Sequence, residues 1–209
     1  RCVGKYVYEM GLTGSERLTL ETLGGIKTLH LHVKEGVVGS VTVDMGLPIL
    51  TPSEIPMLSR DPKIKIAEKE IINGREYNIT GVSMGNPHAV IFVDEITDEQ
   101  VLTEGPLLEC ADIFPRKANI EFARIIDRNN IAMRVWERGT GETWACGTGA
   151  CATAVAAILN GLTERSVTVH LRGGDLHIEW ENENSGVNMT GPAEWICEGI
   201  FYRNKIEER

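Results

Sequence analysis

No apolar run among the 209 residues approaches the length of a membrane-spanning helix, so a helical span is excluded and a soluble chain is expected. A signal peptide and an initiator methionine are also lacking; the chain opens on Arg1. Positive charge is in short supply, with 21 Lys and Arg against 30 Asp and Glu and a formal net charge of −9. That balance disfavours nucleic acid and anionic membranes as partners and leaves small ligands open. The five cysteines are odd in number and show neither the Cys-x-x-Cys redox spacing nor a second Cys/His cluster. Free thiols in a reducing cytoplasm are therefore expected, with no zinc site. Nothing resembles a nucleotide-binding glycine loop or a pyridoxal lysine site. What remains is an ordinary globular composition, 42% apolar, sufficient for one or two domains.

Against this background the stretch Glu142-Thr143-Trp144-Ala145-Cys146-Gly147-Thr148-Gly149-Ala150-Cys151, running into Ala152 to Leu159, stands out. The run of helix formers ends at Asn160-Gly161, a C-terminal stop signal. Cys146 thus sits where a helix begins, and the glycines beside it permit tight turning and close approach of a ligand. A free cysteine is most often a small buried apolar residue, and Cys151 among its alanines fits that description. At Cys146 the helix start offers unpaired N–H groups that can hold a carboxylate and favour a thiolate.

The chain also repeats itself at long period. Arg1 to Thr13 resembles Ala150 to Thr163, with Cys2 and Cys151 separated by 149 positions. At the same offset Leu18 to Gly25 matches Val167 to Gly174; further on, Val43-Asp44-Met45-Gly46 with Pro48 answers Val187-Asn188-Met189, Gly191 and Pro192. A period this long signals duplicated domains. The first copy starts inside its helix, so the counterpart of Cys146 is expected ahead of Arg1. On that reading the chain is a fragment, inactive by itself, whose first helix leaves Val3, Tyr6, Val7 and Met10 uncovered and locally disordered or prone to association.

A coarse pass gives mostly strands with one long helix per repeat. Asn73-Gly74 between Lys69 to Ile72 and Tyr77 to Val82 is a strong hairpin signal. Strands are expected at 89–93, 120–125 and 131–138, with a turn at Asp127-Arg128-Asn129-Asn130, and again at 166–172, 175–181 and 186–190. Residues 98–110 form at best a short helix broken at Gly105-Pro106. The predicted class is α+β: two pseudo-symmetric domains, each a curved sheet or barrel around a central helix, the first truncated at its N-terminus. The remnant of the first domain covers 1–48 and the second covers 49–193, with Pro52, Pro56 and Pro62 marking the linker. A strand-like tail, Trp195 to Tyr202 within 194–209, is expected to return to the first domain.

Polar residues cluster at the turns and strand ends where sites are usually built. Gly85-Asn86-Pro87-His88 is a turn, in which Asn86 offers amide donors and an acceptor and His88 an imidazole; the plain alternative is an Asx-turn with a surface histidine. Asn119 opens a strand, and its plain alternative is a turn residue. Glu137-Arg138 precedes a glycine-rich mouth, where an arginine can clamp a carboxylate, although such neighbours usually form a solvated ion pair. Together with Cys146 these residues suggest a pocket for a zwitterion carrying carboxylates.

Gly85-Asn86-Pro87-His88, Glu137-Arg138-Gly139, Gly141-Glu142 and Ala145-Cys146-Gly147-Thr148-Gly149-Ala150 resemble the motifs of the diaminopimelate epimerases, and the resemblance covers essentially the whole chain. Arg1-Cys2-Val3-Gly4 resembles the segment just after that family's first cysteine motif. The resemblance implies a cofactor-independent isomerase of lysine and peptidoglycan precursor biosynthesis. It interconverts the LL and meso forms of its amino-acid substrate, as a cytoplasmic homodimer. Two cysteines, one per domain, exchange a proton on opposite faces of the α-carbon, and Cys146 is one of them. His88 and Glu137 adjust the thiols, and the Gly147 and Thr148 amides take the proximal carboxylate. Asn86, Asn119, Glu137 and Arg138 meet the substrate, the two asparagines and the arginine at its distal end; no metal is implied. A proline racemase, a hydroxyproline epimerase or a non-catalytic binding remnant are the alternatives, separable by binding of diaminopimelate against proline.

Overall fold

The structure, a computed structural model, describes residues 1–22 and 25–200; Leu23 and Gly24 of the repeat, and Phe201 and Tyr202 of the tail, lie outside the described residues. It is a sheet-rich α+β fold. Its strands are β1 (Arg17–Thr22), β2 (Gly25–Lys34), β3 (Val37–Asp44), β4 (Glu68–Ile72), β5 (Arg75–Ser83), β6 (Pro87–Phe92), β7 (Asn119–Asp127), β8 (Asn130–Glu137), β9 (Gly141–Glu142), β10 (Ser166–Leu171), β11 (Gly174–Glu179) and β12 (Asn188–Pro192). Helix α1 covers Cys2–Glu9, α2 Gly105–Glu109 and α3 Gly147–Leu159. No helix among the described residues is long and apolar enough to cross a membrane.

One twelve-stranded sheet runs in the order β1-β2-β3-β12-β11-β10-β8-β7-β6-β5-β4, with β9 paired to β8. The pairs β6–β7 and β8–β10 are parallel. The duplication is written into the register. Hairpin β1–β2 closes on Thr22 and Gly25, and β10–β11 on Leu171 and Gly174, the same two pairs 149 residues apart. The copies meet where β3 and β12 pair antiparallel, and Asp44 there faces Asn188, its own counterpart. A local two-fold axis therefore passes between these two residues.

Each strand follows from its residues. In β2, Leu29 and Leu31 are buried while His30 and His32 are exposed, the alternation of a sheet covered on one face. Asn73 and Gly74 both take positive φ, the I′ geometry their sequence demands, and close β4 on β5. Strands β5 to β7 are buried in near-continuous runs because both of their faces are covered. Val82, Val90 and Ala123 join the core around α3. Ile79, Ile91, Ile120 and Phe122 pack on the other side with Val101 and Leu108. Ile55 and Met57, from the proline-marked linker, complete that second layer.

Helix α3 is buried from Gly149 to Ala157 and touches β5, β6, β7, β8, β10 and β11, which wrap it as expected from its apolar, alanine-rich sequence. Among the described strands helix α1 packs chiefly on β2 and β3, and Val3, Tyr6 and Met10 are about half exposed. Two expectations fail. Residues Glu99–Glu104 form a π-helical turn that continues into α2, so Gly105-Pro106 does not break the segment. Proline is tolerated in a first helical turn, and Gly105 lets the segment lie against Trp136, whose Cβ would stand 2.9 Å from any added Cβ. The tail at 195–200 is no strand. Trp195 instead packs on Tyr6 at 6.0 Å between rings and donates its indole N–H to Glu9, side-chain contacts that need no ladder.

Candidate active site

Cys146 is the N-cap of α3, with extended backbone (φ −131°, ψ 106°) and no side chain capping the helix. The first-turn N–H groups of Gly147 and Thr148 have no acceptor within the helix, the usual condition of a helix start. Cys146 is 6% exposed, and its sulfur lies 3.5 Å from Thr148 Oγ1. Gly149 is forced by what surrounds it: a Cβ there would sit 2.9 Å from Glu121 Oε1 and 3.2 Å from Cys146 Sγ.

The two residues of the Asn-Pro-His turn reach this sulfur through hydrogen bonds. Asn86 Nδ2 donates to Thr148 Oγ1 at 3.3 Å, and Asn86 Oδ1 lies 3.1 Å from His88 Nε2. His88 is wholly buried at the start of β6, which rules out the surface imidazole of the Asx-turn alternative. Its Nδ1 is 2.6 Å from Glu121 Oε1. Parallel pairing sets Asn119 opposite His88 and Glu121 opposite Val90, so these side chains share the α3 face. Asn119, 3% exposed and no turn residue, donates to the Pro87 carbonyl at 2.8 Å and accepts from the Arg138 N–H at 2.9 Å. It ties the His88 strand to the Glu137-Arg138 strand end.

Glu137 and Arg138 diverge. Glu137 accepts from the Thr143 hydroxyl, while the exposed Arg138 donates from Nη1 to the Arg116 carbonyl at 3.1 Å. The mouth between them is clamped from both sides. Glu109 of α2 accepts from Trp136 Nε1, the Gly139 N–H and Lys117 Nζ at 2.9, 3.0 and 3.2 Å. Burial pushes the Glu109 carboxyl up, but these donors hold it below its usual value. Glu142 takes Arg134 Nε at 2.8 Å and Arg172 Nη1 at 2.9 Å and is likewise lowered, chiefly by the Arg134 hydrogen bond.

The electrostatics correct one expectation. The Cys146 thiol is pushed up to about 12, first by burial and then by the Glu121 and Glu137 charges, against the hydrogen bonds of Thr148 and the Gly149 N–H. A helix start contributes only about 0.3–1 kcal/mol, under one pK unit, and burial beside two carboxylates outweighs it. Glu121 is itself raised by its complete burial, against the pull of His88. Among the described residues no group of His, Cys, Asp or Glu is arranged to hold a metal.

Residues 80–196 match the family model for diaminopimelate epimerase. The chain is 52% identical over 209 residues to a diaminopimelate epimerase of Bacillus cereus, covering 99% of this chain and 72% of that protein. It is 52% identical over 206 residues to that of Acetivibrio thermocellus, covering 99% and 73%. The chain belongs to the diaminopimelate epimerase family. Members of the family are isomerases, and this chain spans somewhat under three quarters of the curated relatives' length. Among solved structures it resembles a probable proline racemase from Agrobacterium radiobacter K84, with a TM-score of 0.73, 13% identity and coverage of 99% of this chain and 67% of that one. A hydroxyproline epimerase from Agrobacterium vitis gives a TM-score of 0.67 at 16% identity, covering 91% and 61%. At such identity these two define the fold only.

Of the residues singled out in the sequence, the structure joins Cys146, Thr148, Asn86 and His88 by hydrogen bonds and sets Asn119 beside them, while Glu121, Thr143 and Glu109, which the sequence did not single out, bond to His88, Glu137 and Trp136. Glu121 is the member hidden most deeply. The available signal was a carboxylate between Ile120 and Phe122, the partners of an apolar core.

Proposed function

We propose that Cys146 is one of the two thiols between which a cofactor-independent epimerase passes a proton as it interconverts LL- and meso-diaminopimelate. The observation that carries this reading is Cys146 at the uncapped start of α3, joined through Thr148 and Asn86 to His88. Inverting a carbon stereocentre is simplest with an acid on one face and a base on the other. The repeat makes the opposing group the counterpart of Cys146 in the first copy. The Gly147 and Thr148 amides hold the proximal carboxylate at the helix start, and its charge takes the place of water at an anion site. Asn86, Asn119, Glu137 and Arg138 meet the remainder of the substrate; Asn119 does so by fixing the Arg138 backbone as much as by contact. Identity of about half with named diaminopimelate epimerases favours this substrate over proline, whose single amino-acid head has no use for a distal clamp. A role in making lysine and peptidoglycan precursors in the cytoplasm, as a homodimer, belongs to the same reading.

The test tracks the α-proton. In deuterated water the enzyme acting on LL-diaminopimelate should lose exchange on one face when Cys146→Ser is introduced, while still binding substrate. The serine hydroxyl is a far weaker acid than a thiol and is scarcely ionised near neutral pH, and turnover should fall by roughly 10²–10⁴. Wild-type turnover in that variant would end the proposal. Arg138→Lys should weaken binding by about 1–3 kcal/mol by removing the planar fork. Unchanged affinity by calorimetry would leave Arg138 with only its Arg116 contact.

A further inference from the structure

Glu121 is the one carboxylate of this site that no solvent reaches, and one of its oxygens, Oε2, has no hydrogen-bond partner among the described residues. A strand position between Ile120 and Phe122 would be cheaper to fill with valine, since an unpaired buried polar atom costs stability. Its other oxygen is bound at 2.6 Å to His88 Nδ1. From there hydrogen bonds run in one direction to the reacting sulfur. His88 Nε2 faces Asn86 Oδ1, which can only accept, so Nε2 carries a proton. Asn86 then presents its amide N–H to Thr148 Oγ1 and fills one of its two lone pairs. The Thr148 hydroxyl hydrogen is not needed by Asn86 and can be given to Cys146 Sγ, 3.5 Å away.

We infer that Glu121 is a positioning residue that fixes the polarity of this relay: by holding one shared proton against His88 Nδ1 it commits Nε2 to donate, which turns the Thr148 hydroxyl into a donor aimed at the Cys146 sulfur. The inference rests on Cys146 being the reacting thiol. With the proton on His88 the pair is imidazolium and carboxylate; with the proton on Glu121 it is imidazole and carboxylic acid. Nε2 donates in both. A net-neutral pair is also the form in which two such groups tolerate full burial. A donor at the sulfur stabilises negative charge there as the thiol gives up its proton, and it is already in place before reaction. The charged groups facing Cys146 are Glu121 from β7 and Glu137 from β8, both opposing the thiolate, with His88 from β6 acting through Asn86. Gly149 keeps the space beside both Glu121 Oε1 and the sulfur open.

The relay can be separated from a plain charge effect without measuring turnover. Purified 209-residue chain is treated with iodoacetamide at pH 8, and alkylation of Cys146 is monitored by peptide mass spectrometry. This is done for wild type, Glu121→Gln, Thr148→Val and the double variant, with circular dichroism checking that each is folded. Far below the thiol's pKa the rate follows the thiolate fraction, so half to one pK unit reads as about a three- to tenfold change. Glu121→Gln should slow alkylation by about that factor when Thr148 is present, because an amide cannot share a proton with His88 Nδ1 and leaves Nε2 uncommitted as a donor. With Thr148→Val in place the slowing should vanish. The same change in both backgrounds, of either sign, or no change in either, overturns the inference. A second measurement needs no variant: ¹⁵N shifts of the His88 ring in the wild-type chain should show Nε2 protonated from pH 6 to 8. A bare Nε2 with the proton on Nδ1 would reverse the relay and sink the idea. If the relay holds while Cys146→Ser leaves epimerisation intact, it is the functional reading that fails.

Discussion

Helices α1 and α3 are two copies of one sequence feature that end alike and are buried differently. Gly11 and Gly161 stop them with φ of 69° and 68°. In each, the glycine N–H bonds back to Tyr8 or Ile158, and the next leucine N–H to Val7 or Ala157, the 6→1 closure of a Schellman end. The faces diverge. In α3 every residue from Gly149 to Ala157 is buried, whereas in α1 only Gly4 and Lys5 are. Lys5 donates to Glu9 and to the Val38 carbonyl at 2.8 and 2.7 Å. The comparison teaches that a helix end is set by a few local residues, while burial is set by how many strands surround it.

Exchanging the two environments should give the largest effect. Ala154→Lys places a lysine in the wholly buried α3, where overpacking and an unpaired charge should cost on the order of 3 kcal/mol or more. In α1 the change Lys5→Ala should cost less, about 2 kcal/mol, for two net hydrogen bonds. Urea midpoints measure both, and equal losses would erase the distinction between the copies.

A smaller effect sharpens the similarity. Gly161→Ala and Gly11→Ala each force a side chain into the left-handed region, at about 1–2 kcal/mol. For Gly161 the loss should appear in the global unfolding midpoint, because α3 is the core. For Gly11 it should appear as faster amide hydrogen exchange confined to α1, with the midpoint nearly unchanged.

The smallest is an acid titration confined to the first copy. Hydrogen bonds from Lys5, Trp195 and the Val38 N–H hold Glu9 at about 2, below its ordinary 4.5. A depressed carboxylate contributes stability that is present above 4.5 and lost as the pH falls through about 2. The Trp195 contact, monitored by fluorescence, should therefore loosen across that window in wild type. In Glu9→Gln it should be weaker at neutral pH and flat on acidification. An identical acid profile in both chains would show that Glu9 does not anchor the tail.

The same contrast between local and distant causes decides what could be read of the site. Cys146, Asn86 and His88 were legible because a helix start and an Asn-Pro turn are made by neighbours in sequence. Asn119 was legible as a strand opening, though not as the tie between Pro87 and Arg138, which needs three separated strands brought together. The ionisation of Cys146 was read in the wrong direction. The helix start is visible in sequence, while the burial and the Glu121 carboxylate that oppose it come from the packing of other strands around α3.

The sequence by itself determined the elements and their ends: the Asn73-Gly74 hairpin, the glycine stops of both helices, the repeat, and the cysteine at the head of α3. Those features depend on φ preferences and side-chain spacing over a few residues. Only the tertiary structure decided that Glu121 faces inward to His88. Alternation in β7 fixes which residues share a face, and both faces there are covered, one by α3 and the other by α2 and the linker, so neither is left to solvent. A carboxylate in an alternating strand reads as solvated until a second layer arrives from elsewhere in the chain, and burial on both sides is a property of packing that no local pattern carries.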